Sequence, residues 1–110
     1  MTDRELLKLA AKAAGIEVCG SDLDNLLIDC NGDDWNPLTN DGDALRLAVR
    51  LHIDLNINNG ISEAIWVDEA RSESHSIEVP CDEAFEGYDA KCAATRRAIV
   101  RAAAEIGMDK

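Results

Sequence analysis

A chain of 110 residues is long enough to bury one core and rarely divides into two domains. Its 22 acidic and 11 basic side chains leave a net charge of −11, which argues against a nonspecific grip on phosphate backbones, because such binding needs clustered Lys and Arg. No apolar run approaches the roughly 20 residues that a membrane-spanning helix needs. The N-terminus interleaves acids and bases without a cleavable apolar segment, so we expect a cytosolic chain.

The first predicted helix covers residues 2–14. Thr2, followed three residues later by Glu5, has the spacing of a capping box, and apolar residues then recur at helical spacing. Gly15 is the expected C-cap. The following segment, "IEVCGSDLDNLLIDC", carries two short apolar runs around a polar turn, which predicts strands near 16–19 and 25–30.

The segment "WNPLTNDGDALRLAV", residues 35–49, predicts the start of a second helix. Pro37 fixes its own φ and pushes the preceding residue toward an extended conformation. Thr39 or Asp41 can cap the helix, and Asp41 with Asp43 places negative charge at the positive end of the helix dipole.

Within this second helix, apolar residues between 44 and 51 leave Arg46 and Arg50 as the polar stripe. A stripe this narrow predicts a largely buried helix. We expect Trp35 to pack over its first turn.

Three strands are predicted after the second helix. Residues 53–57 alternate apolar and polar side chains, which indicates a strand with one polar face, and "NNG" at 58–60 is a strong turn signal. "AIWVDEAR" and "HSIEVP" are the next two strands, with Trp66 in the core, a turn around residues 72–74 that leaves His75 exposed, and Pro80 at the end of the ladder.

The last helix is predicted to begin with Asp89 as N-cap, to run to about Ile106 and to stop at Gly107. Cys92 falls on its apolar side. The order α-β-β-α-β-β-β-α with short joins predicts an α+β fold in one domain, 1–110, in which a mostly antiparallel sheet is packed by three helices.

Three segments together, "TDRELLKLAAKAAGI", "WNPLTNDGDALRLAV" and "ATRRAIVRAAAEIG", resemble the phage ABA-sandwich family of small tailed-phage and prophage proteins, and more distantly the layout of NinX-like phage proteins. They cover about 45 of the 110 residues. The resemblance implies a phage or prophage origin, the cytoplasm of a bacterial host as location, and a helix-sheet-helix sandwich. It supplies no catalytic residue. Because residues 53–57 have a polar face, we expect one incomplete layer.

Charge is distributed unevenly along the chain. Residues 17–43 contain eight acids and no Lys or Arg, and residues 54–89 contain ten acids against Arg71 alone, whereas nearly all other basic residues lie on the predicted helices. Two interpretations stay open: a surface that docks on a basic host protein or nucleoprotein complex, or solvated loops that keep the chain soluble. Direct nucleic-acid binding is not expected.

The loop "CDEAFEGYD" before the last helix combines acids with two aromatic residues. Phe85 and Tyr88 are candidate anchors for a partner, although Phe85 could equally fasten the loop to the core. The candidate partner-binding residues are Asp33, Asp34, Glu83, Phe85, Glu86 and Tyr88.

Other functions have weaker signals. The four cysteines lack the close pairs typical of structural zinc sites, "DCNGDD" lacks the closing Glu of a calcium loop, and no nucleophile, phosphate-loop or dinucleotide motif is present, so we expect no metal, no cofactor and no enzyme. An alternative is a small-molecule or nucleotide sponge whose helix arginines hold phosphates. A structural or regulatory phage protein acting as an oligomer is a third hypothesis, and the sequence does not fix the oligomeric state. The candidate phosphate-binding residues are Arg46, Arg50, Arg96 and Arg97.

Overall fold

The structure, a computed structural model, describes residues 2–16, 18–21, 27–29, 34–57, 61–68, 72–80 and 88–108. The helices are α1 (Asp3–Ala14), α2 (Asp41–Arg50) and α3 (Tyr88–Met108). One antiparallel sheet consists of β1 (Val18–Ser21), β2 (Leu27–Asp29) and β3 (Asp34–Trp35), and a second consists of β4 (Asp54–Ile57), β5 (Ile61–Asp68) and β6 (Glu73–Pro80). The predicted α+β class with three helices and antiparallel strands is confirmed.

The observed order is α-β-β-β-α-β-β-β-α, so the predicted order lacked one strand. That strand, β3, pairs with β2 through Leu27↔Trp35 and Ile28↔Asp34. Two residues are too few to show the period-two pattern by which a strand is recognised. The prediction of one sheet is also wrong for the described residues, since the strands before α2 and those after it form separate sheets.

Both predicted ends of α1 are confirmed. The Thr2 hydroxyl accepts a hydrogen bond from the Glu5 backbone N–H at 3.2 Å, which satisfies one of the free donors of the first turn. Gly15 adopts a left-handed conformation with φ of 71° and bonds back to the carbonyls of the last turn. Local sequence signals therefore determine this helix.

The cap of α2 is Asn40, and the prediction of Thr39 or Asp41 is wrong. The Asn40 side chain accepts from the Asp43 backbone N–H at 2.9 Å. Asp43 in turn accepts from the Asn36 backbone N–H at 3.1 Å, while the Asn36 side chain accepts from the Leu38 N–H at 3.0 Å. These bonds join the turn to the helix. Thr39, Asn40 and Asp41 can all act as caps, and the hydrogen bonds of the turn determine that Asn40 is the one that does.

Burial of α2 is narrower than predicted. Ala44, Leu47 and Ala48 are buried, but the side chains of Leu45 and Val49 are 59% and 67% exposed. A helix that packs mainly against one neighbour, here α3, buries only the stripe facing it. Trp35 is buried in the same core as Ala44, in line with the predicted packing role.

Helix α3 extends beyond the predicted range at both ends. It begins at Tyr88, so Asp89 is not its N-cap, and it continues through Gly107 to Met108. Gly107 does not stop the helix; it allows a close contact with α1. A Cβ at this position would collide with the Leu9 carbonyl oxygen and lie 2.9 Å from the Leu9 carbonyl carbon. Gly107 is needed because α1 crosses α3 closely at this point.

Helix α3 contacts every other major element of the core: α1, α2, β5 and β6. Its inner face carries small side chains, which allow the neighbouring backbones to approach closely. Ala10 of α1 and Ala98, Ala102 and Ala103 of α3 are completely buried. In the part of the chain that the structure describes, no helix is long and apolar enough to cross a membrane.

The β5–β6 hairpin pairs without interruption from Ile61↔Pro80 to Asp68↔Glu73. Its turn includes Ser72 with a positive φ of 54°. His75 is exposed as predicted, but it lies in β6 and not in the turn, because the ladder continues to Glu73. Trp66 is only half-buried at the margin of the core, so the prediction of a core residue holds in part.

Candidate binding surface

Four of the six predicted partner-binding residues lie outside the described residues: Asp33, Glu83, Phe85 and Glu86. The two others are at the ends of elements: Asp34 begins β3 and Tyr88 begins α3.

The predicted phosphate-binding arginines are largely engaged within the chain. Arg46 bonds Asp43 at 2.7 Å, and Arg97 bonds Asp3 of α1 at 3.1 Å. Arg96 donates through Nε to the Leu38 carbonyl at 2.8 Å and through Nη1 to the Asp41 carboxylate. A phosphate at any of these three guanidinium groups would compete with a carboxylate that already bonds it.

These arginines also do not converge on one pocket. Arg96 reaches the start of α2, whereas Arg97 reaches the start of α1. Arg50, exposed at the end of α2, has no ion-pair partner among the described residues.

One groove of about 330 Å³ lies along α3. Its lining combines two guanidinium groups, one carboxylate and apolar side chains: Leu6, Arg97, Arg101, Ala104, Glu105 and Met108. Arg97 is bonded to Asp3. Because side chains of both charge signs line it, this groove has no preference for an anionic or a cationic ligand.

The β4–β6 sheet has two different faces, which its register identifies. Residues directly opposite each other on antiparallel strands point to the same side. Ser62 and Ala64 are buried, and the Ser62 hydroxyl lies 2.9 Å from the Thr95 hydroxyl of α3. The rows Ile57–Ser62–Val79 and Leu55–Ala64–Ile77 therefore face α3.

The opposite face of this sheet, here called the outer face, consists of the alternate rows. Its carboxylates are Asp54, Glu63 and Glu78, and Asn56, Glu63 and Glu78 form one continuous row across the three strands. The apolar residues Ile61 and Val67 of β5 lie on this face and are 39% and 60% exposed. The outer face therefore presents carboxylates beside exposed apolar side chains.

No basic side chain neutralises the outer face from within the sheet. The three strands contain five acidic residues and neither Lys nor Arg. Glu63 and Glu78 are direct cross-strand neighbours, an arrangement of like charges that is destabilising in a sheet. This face offers negative charge to a positively charged partner.

The sequence predicts acidic character for this region, but the grouping of Asp54, Glu63 and Glu78 on one face was not predicted. Successive side chains of a strand point to opposite faces, and this period of two was the signal that could have assigned each carboxylate to a face. Which carboxylates become neighbours depends on the strand register, which the amino-acid sequence does not display.

An aromatic pair lies near the end of the same hairpin. The rings of Trp66 and His75 stack with centroids 5.4 Å apart, and His75 Nε2 lies 3.8 Å from a Glu73 carboxylate oxygen. Cross-strand stacking of this kind stabilises a hairpin. It explains why two large side chains occupy a partly exposed position.

The structure provides no arrangement for metal binding among the residues that it describes. No three His, Cys, Asp or Glu side chains of this part of the chain are grouped closely enough to hold an ion. Cys92, half-buried on α3, is a free thiol. Cys30 and Cys81 lie outside the described residues.

The chain matches no family model, no curated protein and no solved structure. Its resemblance to small phage proteins thus rests on the three sequence segments alone. The candidate site is therefore defined by its own chemistry: an acidic, partly apolar sheet face.

Proposed function

We propose that this protein acts without catalysis, by docking an acidic surface on the basic surface of a partner protein or nucleoprotein complex. The observation that carries the proposal is the outer face of the β4–β6 sheet, where Asp54, Glu63 and Glu78 lie together without a basic residue on any of the three strands. Charge complementarity of this kind steers association and selects against acidic partners.

The apolar residues of the outer face support the same function. Stable interfaces combine apolar contacts with polar or charged groups. Ile61 and Val67 supply exposed apolar area on either side of the rows that carry the carboxylates. A lysine- or arginine-rich surface that also carries apolar side chains is the complementary partner.

The resemblance to phage proteins suggests where such a partner is found. A protein of phage origin operates inside a bacterium, and the basic surfaces available there include those of host complexes that handle or cut nucleic acid. Occupying a basic nucleic-acid channel inhibits such a complex without chemistry. We therefore propose a host defence or nucleic-acid-handling complex as the target.

The test compares three proteins as bait in a bacterial lysate, with captured proteins quantified at low and high salt. One is unchanged, one carries Asp54→Asn, Glu63→Gln and Glu78→Gln, and one carries Glu5→Gln and Glu105→Gln on exposed helix positions. We expect a basic partner to be retained by the first and third proteins, to be lost at high salt, and to fall at least tenfold with the sheet variant.

A fourth bait tests the predicted loop residues, with Asp33, Asp34, Glu83 and Glu86 neutralised together. Loss with this bait alone would place the acidic contact at the loops. Capture that is equal for all four proteins, or insensitive to salt, would contradict the proposal. A bound small molecule found in the intact-protein mass would favour the arginine alternative.

A further inference from the structure

Strand β4 is an edge of its sheet. It pairs with β5 from Asp54↔Ile65 to Ile57↔Ser62, and its other side carries no partner strand among the residues that the structure describes. All four residues of β4 are exposed. About half of the backbone N–H and C=O groups of an antiparallel strand point to each side, so β4 has groups available for a further strand.

The side of β4 that faces the helix layer is apolar and uncovered. Leu55 and Ile57 share rows with Ala64 and Ser62, which are buried, yet they are themselves 36% and 55% exposed. The reason is the position of α3, which packs over β5 and β6. A strand added to β4 would bury these two side chains.

The opposite edge of the sheet, β6, is less suited to accept a strand. Pro80 ends it and has no N–H to donate. Val79 is already buried and Ile77 packs against the core, so a strand added there would find little apolar surface to cover. The two edges therefore differ in the backbone groups that can pair with an added strand and in the apolar side chains that it could cover.

Charge determines which strand would suit β4. Side chains of an added strand that share the outer face would lie next to Asp54 and Asn56, and the row of Asn56 continues to Glu63 and Glu78. Basic side chains are favoured at these positions. A second copy of this chain pairing through its own β4 would bring Asp54 and Asn56 to the same rows, which offers no compensating positive charge.

We propose that β4 binds an extended segment of the partner as a fourth strand, in which Lys or Arg alternates with Val, Ile or Leu. The apolar side chains contact Leu55 and Ile57, and the basic ones lie beside Asp54 and beside Asn56, whose row continues to Glu63. Main-chain bonds supply affinity, and the alternating side chains supply specificity. This inference rests on the proposed function and specifies how the partner is recognised.

The test measures binding of labelled eight-residue peptides to the full chain by fluorescence anisotropy. One peptide alternates Lys and Val, a second has the same composition as Lys-Lys-Val-Val repeats, and a third alternates Glu and Val. We expect the first to bind at least tenfold more tightly than the second, because only alternation places all Lys on one side of a strand. The third should not bind.

Two protein variants locate the contact. Leu55→Asn with Ile57→Asn should weaken binding of the alternating Lys peptide at least tenfold, whereas Val67→Asn, at an exposed position on β5 beyond the reach of β4, should change it less than twofold. With the unchanged protein, hydrogen exchange should show that the peptide slows exchange of amides within 54–57. That measurement does not depend on how the variants fold.

The outcomes separate the two proposals. Equal binding of both Lys peptides, or binding without protection of residues 54–57, would overturn strand addition and leave a basic partner on the acidic surface. Dimerisation of the chain through β4, seen as protection that grows with protein concentration, would replace the basic segment with a second copy. Absence of binding by every Lys peptide, together with capture that neutralised carboxylates do not reduce, would overturn both.

Discussion

Glu63 and Glu78 lie directly opposite each other on β5 and β6, and both belong to the outer face of the sheet. Like charges on directly opposite residues oppose the strand pairing that the backbone hydrogen bonds favour. A partner with positive charge would convert this unfavourable contact into a favourable one. The pair thus links the stability of the free protein with its proposed binding.

Replacing Glu78 with Gln should stabilise the free protein, because it removes the repulsion while keeping a similar shape. We expect a gain of about 0.2–1 kcal/mol in the free energy of unfolding at low ionic strength, and a smaller gain in high salt. Urea unfolding at the two salt concentrations measures this. Glu105→Gln on α3 is the control for a change in net charge alone. A loss of stability at low salt would show that the carboxylate has a favourable contact.

Substitution of Thr95 should destabilise the protein more than substitution of Ser62. The Thr95 hydroxyl donates to the Lys91 carbonyl at 2.8 Å, so the Ser62 hydroxyl donates to Thr95 Oγ1. Thr95→Val leaves the buried Ser62 hydroxyl without its acceptor, at a cost of about 1–3 kcal/mol. Ser62→Ala leaves Thr95 bonded to Lys91.

Thermal and urea unfolding of the two single variants and of the double variant test this asymmetry. The double variant should be more stable than the sum of the two single losses implies, since it removes donor and acceptor together. Equal losses in the two single variants would contradict the assigned direction of the bond.

Arg96 should contribute more to stability than Arg46, although both bond a carboxylate at the start of α2. The Arg96 side chain is 19% exposed and also donates to the Leu38 carbonyl, whereas the Arg46 side chain is 75% exposed. Arg96→Met should destabilise the protein by about 1.5–3 kcal/mol, and Arg46→Met by less than about 1 kcal/mol. Chemical denaturation compares them, and Arg96→Lys should recover only part of the loss.

Gly107→Ala should be strongly destabilising, because the added methyl group would collide with the backbone of Leu9 and push α1 away from α3. Overpacking of this kind costs about 1–3 kcal/mol. Gly42→Ala in α2 is the matched control, since its nearest neighbours are the side-chain atoms of Asn40 and Arg46. Its effect should be much smaller. A near-neutral Gly107→Ala would mean that the two helices separate without cost.

Short-range signals predicted several elements correctly. Thr2 and Gly15 delimit α1, and the alternation of residues 53–57 predicted β4. The same signals failed where several residues were chemically able to perform one role. Asn40 rather than Thr39 or Asp41 caps α2, and the Gly107 that resembles a helix stop instead allows two helices to touch.

By itself, the sequence determined the α+β class, the three helices and the acidic character of the strands, because these depend on composition and on periodicity over a few residues. Only the tertiary structure decided that Glu63 meets Glu78, that Arg96 reaches back to Asp41, and that α3 leaves Leu55 and Ile57 uncovered. Those contacts depend on strand register and on which helix packs over which strand. Both arise from the packing of segments far apart in the chain, which no local pattern encodes.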